Sequence, residues 1–250
     1  MQRYFLTKPY ENEKEVRLQN EQYHHIVRVL RMEQGDRFYI VFRNEKACIC
    51  EIKEITNEEV VAAIIEWEDI SKELPVKVTI ASGLPKGDKL EWIIQKATEL
   101  GAYEFAPFIA NRSIVKWDEK KGLKKKDRWQ KIALEAAEQS HRQHVPLIHT
   151  PCTFKELLAL SKSYEHKLVA FEEDAKQGES HQFVQALSQV KDGEKMLLVF
   201  GPEGGLSAQE VEQLCKAGFQ TCGLGPRILR TETAPLYTLA AISYHLELMR

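Results

Sequence analysis

The chain has 250 residues, 43% of them hydrophobic and 29% charged, with a formal net charge of −2. That length holds one large domain or two ordinary ones with a sizeable core. The balance excludes wholesale disorder, a collagen-like chain and a membrane-spanning one, and it leaves any nucleic-acid partner to a local basic patch.

In chain order, Arg3–Leu6 predicts a strand. Asn20 predicts an N-cap for a short helix through Arg31, stopped at Gly35-Asp36, with Ile26, Val29 and Leu30 turned to a core. Three short β-branched runs follow, Arg37–Arg43, Ala47–Ile55 and Val60–Trp67. Ile70–Pro75 reads as a connection, which places a first domain at 1–70, a linker at 71–75 and a second domain at 76–250. From Val76 the rhythm changes. Val76–Ala81 is a strand, Asp88 caps a helix to Leu100, Phe105–Ala110 is extended, and Lys124–Arg142 and Thr153–Leu160 are helices. His166–Phe171, Met196–Phe200 and Phe219–Gly223 are buried strands. Ser207-Ala-Gln-Glu210 is a capping box, and Ala234–Met249 is the last helix. Strands alternating with helices predict a mostly parallel sheet covered on both faces, an α/β domain.

The N-terminal Met1–Leu6 stretch lacks the apolar core of a secretory signal. Five scattered cysteines (Cys48, Cys50, Cys152, Cys215, Cys222) form no C-x-x-C pair. Both features suit thiols in a reducing cytoplasm, and no metal site is expected.

Four stretches carry chemistry. In Phe200-Gly-Pro-Glu-Gly-Gly-Leu-Ser207 a buried strand runs into three glycines and then a capped helix. Glycines there let a backbone approach a ligand, and ligands of open α/β sheets sit beyond the carboxyl ends of strands. The loop is neither a P-loop nor G-x-G-x-x-G, which disfavours a nucleoside triphosphate or a dinucleotide. Leu224-Gly-Pro-Arg-Ile-Leu-Arg-Thr-Glu-Thr-Ala234 likewise leaves a strand for a helix, and gathers Arg227, Arg230 and Glu232. Lys116–Lys131 holds eight basic residues against three acidic ones, with Trp117 and Trp129 between them, a mixture that suits RNA. His24–Arg31 places Arg28 and Arg31 on one helical face with His24 beside Arg28. Each of the four also has a plainer reading, as a tight turn, an ion-paired loop, a solvated helix start and a structural histidine.

His25–Arg31, Gly83–Lys89, Gln95–Gly101, Glu135–Ser140, Gly201–Gly205 and Leu224–Ala234, in this order, resemble the RsmE-type ribosomal RNA uracil-N3 methyltransferases along the whole chain. The resemblance implies a SPOUT methyltransferase domain with a C-terminal trefoil knot, preceded by a small PUA-like β-barrel. It implies S-adenosylmethionine as cofactor, and the N3 of one uridine in 16S rRNA (position 1498 in the usual rRNA numbering) as target, on the assembled small subunit. Carried over residue by residue, it implies cofactor contacts from Phe171, Phe200, Gly201, Gly205, Leu224, Gly225, Ile228, Leu229, Arg230 and Thr233. RNA would meet Arg3, His25, Arg28 and Arg31, and also Lys124, Lys125, Lys126 and Arg128. Arg230 is the candidate for stabilising the uracil anion, with Arg227 its competitor, and Glu232 or a water is the candidate proton acceptor. The final helix carries more apolar residues than one face needs, which with the resemblance implies a homodimer. The competing reading is a catalytically silent rRNA-binding or ribosome-assembly factor.

Overall fold

The computed structural model describes residues 1–114, 119–171 and 181–249, with the side chains of 119–121 and 181 left outside. Lys116 and Trp117 of the basic stretch, and the side chains of Lys120 and Lys121, therefore lie outside the described residues. The backbone divides into two compact units, Met1–Glu73 with Glu138–His144, and Leu74–Ala137 with Val145–Arg250.

The first unit is a five-stranded sheet made of β1 (Arg3–Phe5), β2 (Glu15–Gln19), β3 (Arg37–Val41), β4 (Ala47–Ile55) and β5 (Glu59–Trp67). Their order is β1-β3-β4-β5-β2, antiparallel except where β1 runs beside β3. Alternation builds its core. Val16 and Leu18 of β2, Phe38 and Ile40 of β3, Cys48, Cys50 and Ile52 of β4, and Val60 and Ala62 of β5 all point inward. The period-two pattern of Glu15-Val-Arg-Leu-Gln19 is the signal for β2, a strand beyond those predicted.

Between β2 and β3 lies α1 (Asn20–His24), which runs into a π-turn, His25–Val29. Asn20 is not its cap: it sits at φ +54°, and Gln19 occupies the N-cap position without a side-chain bond. The wider turn, marked by Leu30 N–H donating to the His25 carbonyl at 2.9 Å, rotates later residues off the expected face. Ile26 is buried as expected, but Val29 is 55% exposed and Leu30 42%. Arg31, at φ +54°, lies beyond the helix and does not share a face with Arg28.

Arg3 is fully buried. Its Nη2 donates to both Glu68 oxygens at 3.0 and 2.8 Å, and its Nη1 to the Arg142 carbonyl at 3.2 Å. The guanidinium carbon also lies 4.6 Å from the Tyr39 ring centroid. The expectation that Arg3 meets RNA is therefore corrected, because the residue is fully buried and its two Nη groups face a carboxylate and a carbonyl inside the unit. Glu73 gathers the 138–144 segment in the same way. It accepts from Arg142 Nε at 3.0 Å, from Gln143 N–H at 2.8 Å and from His144 N–H at 3.1 Å.

In the second unit the strands are β6 (Lys77–Ser82), β7 (Glu104–Phe105), β8 (Phe108–Ile109), β9 (Leu147–Ile148), β10 (Cys152–Thr153), β11 (His166–Ala170), β12 (Lys195–Phe200) and β13 (Gln220–Cys222). The helices are α2 (Lys89–Glu99), α3 (Glu119–Gln139), α4 (Phe154–Leu160), α5 (His181–Gln189), α6 (Ala208–Lys216) and α7 (Thr233–Ser243). A further π-turn, Tyr244–Leu248, follows α7. Six strands form one parallel sheet in the order β13-β11-β12-β6-β7-β9, and β8 pairs with β10. Both faces are buried. Val78, Ile80, Met196, Leu198 and Phe200 pack with Ile93, Ile94, Leu239 and Ile242 on one face. Ala81, Leu197 and Val199 pack with Leu157, Val211 and Leu214 on the other. Central parallel strands read as continuous apolar runs for this reason. Thr153–Glu156 and Ser207–Glu210 form reciprocal capping boxes on α4 and α6, whereas the Asp88 side chain caps nothing on α2.

Removing one partner of a buried ion pair leaves an uncompensated charge, at a cost of about 3–5 kcal/mol. Glu68→Gln is therefore expected to destabilise the first unit by about 3 kcal/mol in urea unfolding at neutral pH. Burial pushes the Glu68 carboxyl upward, but hydrogen bonds from Lys72 and Arg3 outweigh it and hold the group below the usual range. A carboxyl depressed in the folded state contributes stability that is full above its unfolded value of about 4.3 and is lost as pH falls through the folded value. The two proteins' urea midpoints should converge through that acid window, and a gap that persists there would place the effect elsewhere.

Candidate active site

Three strands of the parallel sheet finish side by side, β11 at Ala170, β12 at Phe200 and β13 at Cys222. Those three residues, with the loops that follow them, wall a cavity of about 760 Å³. That is a size typical of small-molecule sites.

The first wall is the Gly201–Leu206 loop. It turns back so tightly that a Cβ on Gly201 would lie 2.9 Å from the Gly205 carbonyl carbon and 3.0 Å from the Leu206 nitrogen. Gly205 N–H donates to the Pro202 carbonyl at 2.8 Å and closes the turn, with Gly205 at φ +68°. Arg112, entering after β8, holds this loop through Nη1 to the Gly204 carbonyl at 3.0 Å. The second wall is Leu224 and Arg227–Thr231, with Ala234 at the start of α7. Arg230 here accepts from the Thr233 and Ala234 amides through its carbonyl, at 2.9 and 3.0 Å, and so begins the helix. The Leu224 and Leu229 amides enter no backbone turn among the described residues. The third wall is Ala170 and Phe171.

Charge is arranged unevenly around this cavity. Lys89, Arg112, Arg227 and Arg230 line it together with Glu203. Lys89 Nζ lies 3.0 Å from Glu203 Oε1 and 3.4 Å from Glu232 Oε2. Burial raises the Glu203 carboxyl, but the Lys89 hydrogen bond and backbone N–H groups including that of Lys86 leave it below the usual carboxylate range. The Glu203 hydrogen bond is also the main reason the Lys89 ammonium is held above its ordinary value. Glu232 Oε2 is buried without a hydrogen bond. Among the described residues no group of three or more His, Cys, Asp or Glu side chains could hold a metal, and no helix is long and apolar enough to cross a membrane.

The cavity brings together Phe171, Phe200, Gly201, Gly205, Leu224, Ile228, Leu229 and Arg230 from the candidate set. It does not bring Gly225, Thr233 or Glu232 to its wall. Gly225, at φ +85°, shapes the turn below it, Thr233 is the first residue of α7, and Glu232 faces Lys89. Lys89 and Arg112 are lining residues that periodicity did not reveal: one opens a helix and the other sits in a short turn after β8.

An RNA methyltransferase domain model matches residues 72–243, and an RNA methyltransferase PUA domain model matches 18–65. The ribosomal RNA small subunit methyltransferase E of Bacillus subtilis (strain 168) is 52% identical over 100% of this chain and 99% of its own length. The chain belongs to the ribosomal RNA small subunit methyltransferase E family. The solved family structure from Neisseria gonorrhoeae, bound to S-adenosyl methionine, matches with TM-score 0.83 and 30% identity over 97% of each chain. A putative methyltransferase from Legionella pneumophila in complex with the same cofactor matches with TM-score 0.81 and 29% identity over 96% of each chain.

Other basic residues of this methyltransferase E family chain are distributed unevenly. Lys124 and Lys125 are exposed, Lys126 is half-buried, and Arg128 is exposed but paired with Glu91 Oε2 at 2.6 Å. Lys124, Lys125 and Arg128 border a smaller cavity of about 270 Å³ with the Leu84–Leu90 segment. In the first unit Arg28 and Arg31 are exposed, and His25 is hydrogen-bonded through Nδ1 to the Tyr4 hydroxyl at 2.9 Å.

The loop geometry separates two glycine substitutions. At Gly201 an added Cβ meets backbone, and overpacking of that kind costs about 1–3 kcal/mol. At Gly205 the added Cβ meets only Arg112 Nη1 at 4.0 Å, so its cost is the left-handed backbone penalty of about 1–2 kcal/mol. Gly201→Ala is expected to lower the melting temperature more than Gly205→Ala, and the reverse order in calorimetry would contradict the close approach.

Proposed function

We propose that this chain transfers a methyl group from S-adenosylmethionine to N3 of one uridine of 16S rRNA, on the assembled small subunit and in the cytoplasm. The observation that carries the reading is the cavity at the ends of β11, β12 and β13, built from two glycine-bearing loops in a chain of this family. The cofactor fits those residues. Phe171, Leu206, Ile228 and Leu229 offer an apolar wall for a flat neutral base, and the Gly201 turn has no side chain to block a close approach. The Leu224 and Leu229 backbone groups are the proposed polar contacts, with the Gly201 and Gly205 carbonyls. A SPOUT arrangement with a knotted C-terminal region is proposed from the family resemblance. The first unit is assigned as the PUA-like RNA-binding part, with the division at 71–75 between the two.

When bound, the cofactor supplies an electrophilic methyl group on a sulfonium. Uracil N3 carries a proton and is a poor nucleophile until that proton leaves, and its loss spreads negative charge over N3, O2 and O4. Arg230, lining the cavity and exposed to it, is assigned the stabilisation of that charge, because its guanidinium stays protonated and presents several donors. Glu232 is assigned the proton, reached through a water because it does not form the wall. The freed N3 pair then forms the new carbon–nitrogen bond as the carbon–sulfur pair returns to sulfur, and the walls hold the two partners in line.

Arg230→Ala, assayed with cofactor saturating, is expected to lose roughly 10²-fold in single-turnover methyl transfer at neutral pH. Its rate should recover as rising pH removes the N3 proton unaided. A wild-type rate at neutral pH would move the role to another residue, with Arg227 the first to examine.

The exposed Lys124 and Lys125 with Lys126 are assigned to RNA phosphates. Replacing all three by Gln should flatten the slope of log affinity against log salt by about 2, at about 0.7 per single-stranded phosphate. An unchanged slope in filter binding would return them to a solvated helix face.

A homodimer is proposed from the exposed apolar residues of α7 and the π-turn after it. Leu239, Ile242 and Leu246 are buried, but Tyr237, Tyr244, Leu248 and Met249 remain exposed. Exposed apolar residues gathered at one end of a chain suit a symmetric contact. Light scattering at micromolar concentration should read twice the 28.8 kDa chain mass, and a monomer would refute it.

A further inference from the structure

We propose that Lys89 is a positioning residue, which clamps the two loops that wall the cofactor pocket by bridging Glu203 of one loop to Glu232 of the other. The proposal rests on the cofactor reading above.

β12 and β13 are not neighbours, because β11 lies between them in the sheet. Adjacent strands are about 4.8 Å apart, so the loops leaving β12 and β13 start about 10 Å apart with no ladder between them. Lys89 meets both loops where their carboxylates converge, with Nζ 3.0 Å from Glu203 and 3.4 Å from Glu232. Its own backbone is anchored, since it opens α2 directly after a segment docked on the β12 loop. A Cβ on Gly83 would lie 2.6 Å from Pro202 Cδ, and the Lys86 N–H donates to Glu203 Oε1 at 3.1 Å. Glu203 is thus held from several sides. Glu232 Oε2 is buried without a hydrogen bond, and Lys89 is the cation beside it.

Two carboxylates share one ammonium. Removing the ammonium leaves them facing each other, and like charges at close range push their loops apart. Lys89 is itself partly exposed, so the pair adds little to global stability. Its effect falls on the relative placement of the two walls, and so on affinity for whatever lies between them.

The test is calorimetric titration of the full-length protein with S-adenosylmethionine, beside thermal melting without ligand. Lys89→Met should weaken binding about tenfold, equivalent to about 1.4 kcal/mol, while the unliganded melting temperature changes little. Lys89→Arg should restore near-normal binding, since a guanidinium can also bridge two carboxylates. In the triple variant K89M/E203Q/E232Q the repulsion is gone, and most of the lost affinity should return. Lys89→Met with unchanged affinity would overturn the proposal. So would a triple variant as weak as K89M, because Lys89 would then touch the cofactor itself. A large fall in unliganded melting temperature with unchanged affinity would make Lys89 purely structural. Wild-type protein that binds no S-adenosylmethionine would refute the cofactor reading instead, a result separable from all of these.

Discussion

The cavity depends on one steric constraint, the reversal of the chain at Gly201, where the backbone of Gly205 and Leu206 occupies the space a side chain would need. β12 is buried on both faces, so its direction is set by the packing of Met196, Leu198 and Phe200 on one side and Leu197 and Val199 on the other. The turn has no freedom to drift, because Gly83 abuts Pro202 and Gly83 N–H donates to the Phe200 carbonyl at 2.8 Å. A parallel sheet ends all its strands on one edge, and loops anchored there inherit the rigidity of the core.

Charge adds a second layer to that backbone frame. Around the cavity, cations outnumber carboxylates, and Glu203 and Glu232 are placed against Lys89. Arg227 and Arg230 line the cavity and stay exposed. The first unit uses arginine in the opposite sense. Arg3 and Arg142 are buried against Glu68 and Glu73, where they tie β1 and the 138–144 segment into one body. The same residue type therefore serves as a strut in one unit and faces the cavity in the other, and burial separates the two roles.

Much of the second unit was legible from sequence, because each of its signals is local. Ser207-Ala-Gln-Glu210 reads as a capping box, and the structure forms both halves of it. The apolar run Met196–Phe200 reads as a buried strand and sits third in a six-stranded parallel sheet. The first unit was less legible. β2 has a clear alternation but only five residues, and the π-turn at His25–Val29 obeys no period that a helical reading would test. Its widening exposed Val29 and Leu30 and took Arg31 off the helix.

The sequence by itself determined the alternation of strands and helices, the two glycine-bearing loops and the motifs that mark the family, since these follow from neighbouring residues and their spacing. Tertiary structure alone decided that Arg3 is buried, that residues 138–144 join the first unit, and that Lys89 meets Glu203 and Glu232 from two separate loops. These are contacts between residues from about 65 to 143 positions apart in sequence. No local pattern encodes them, because burial and ion pairing depend on which distant surface arrives.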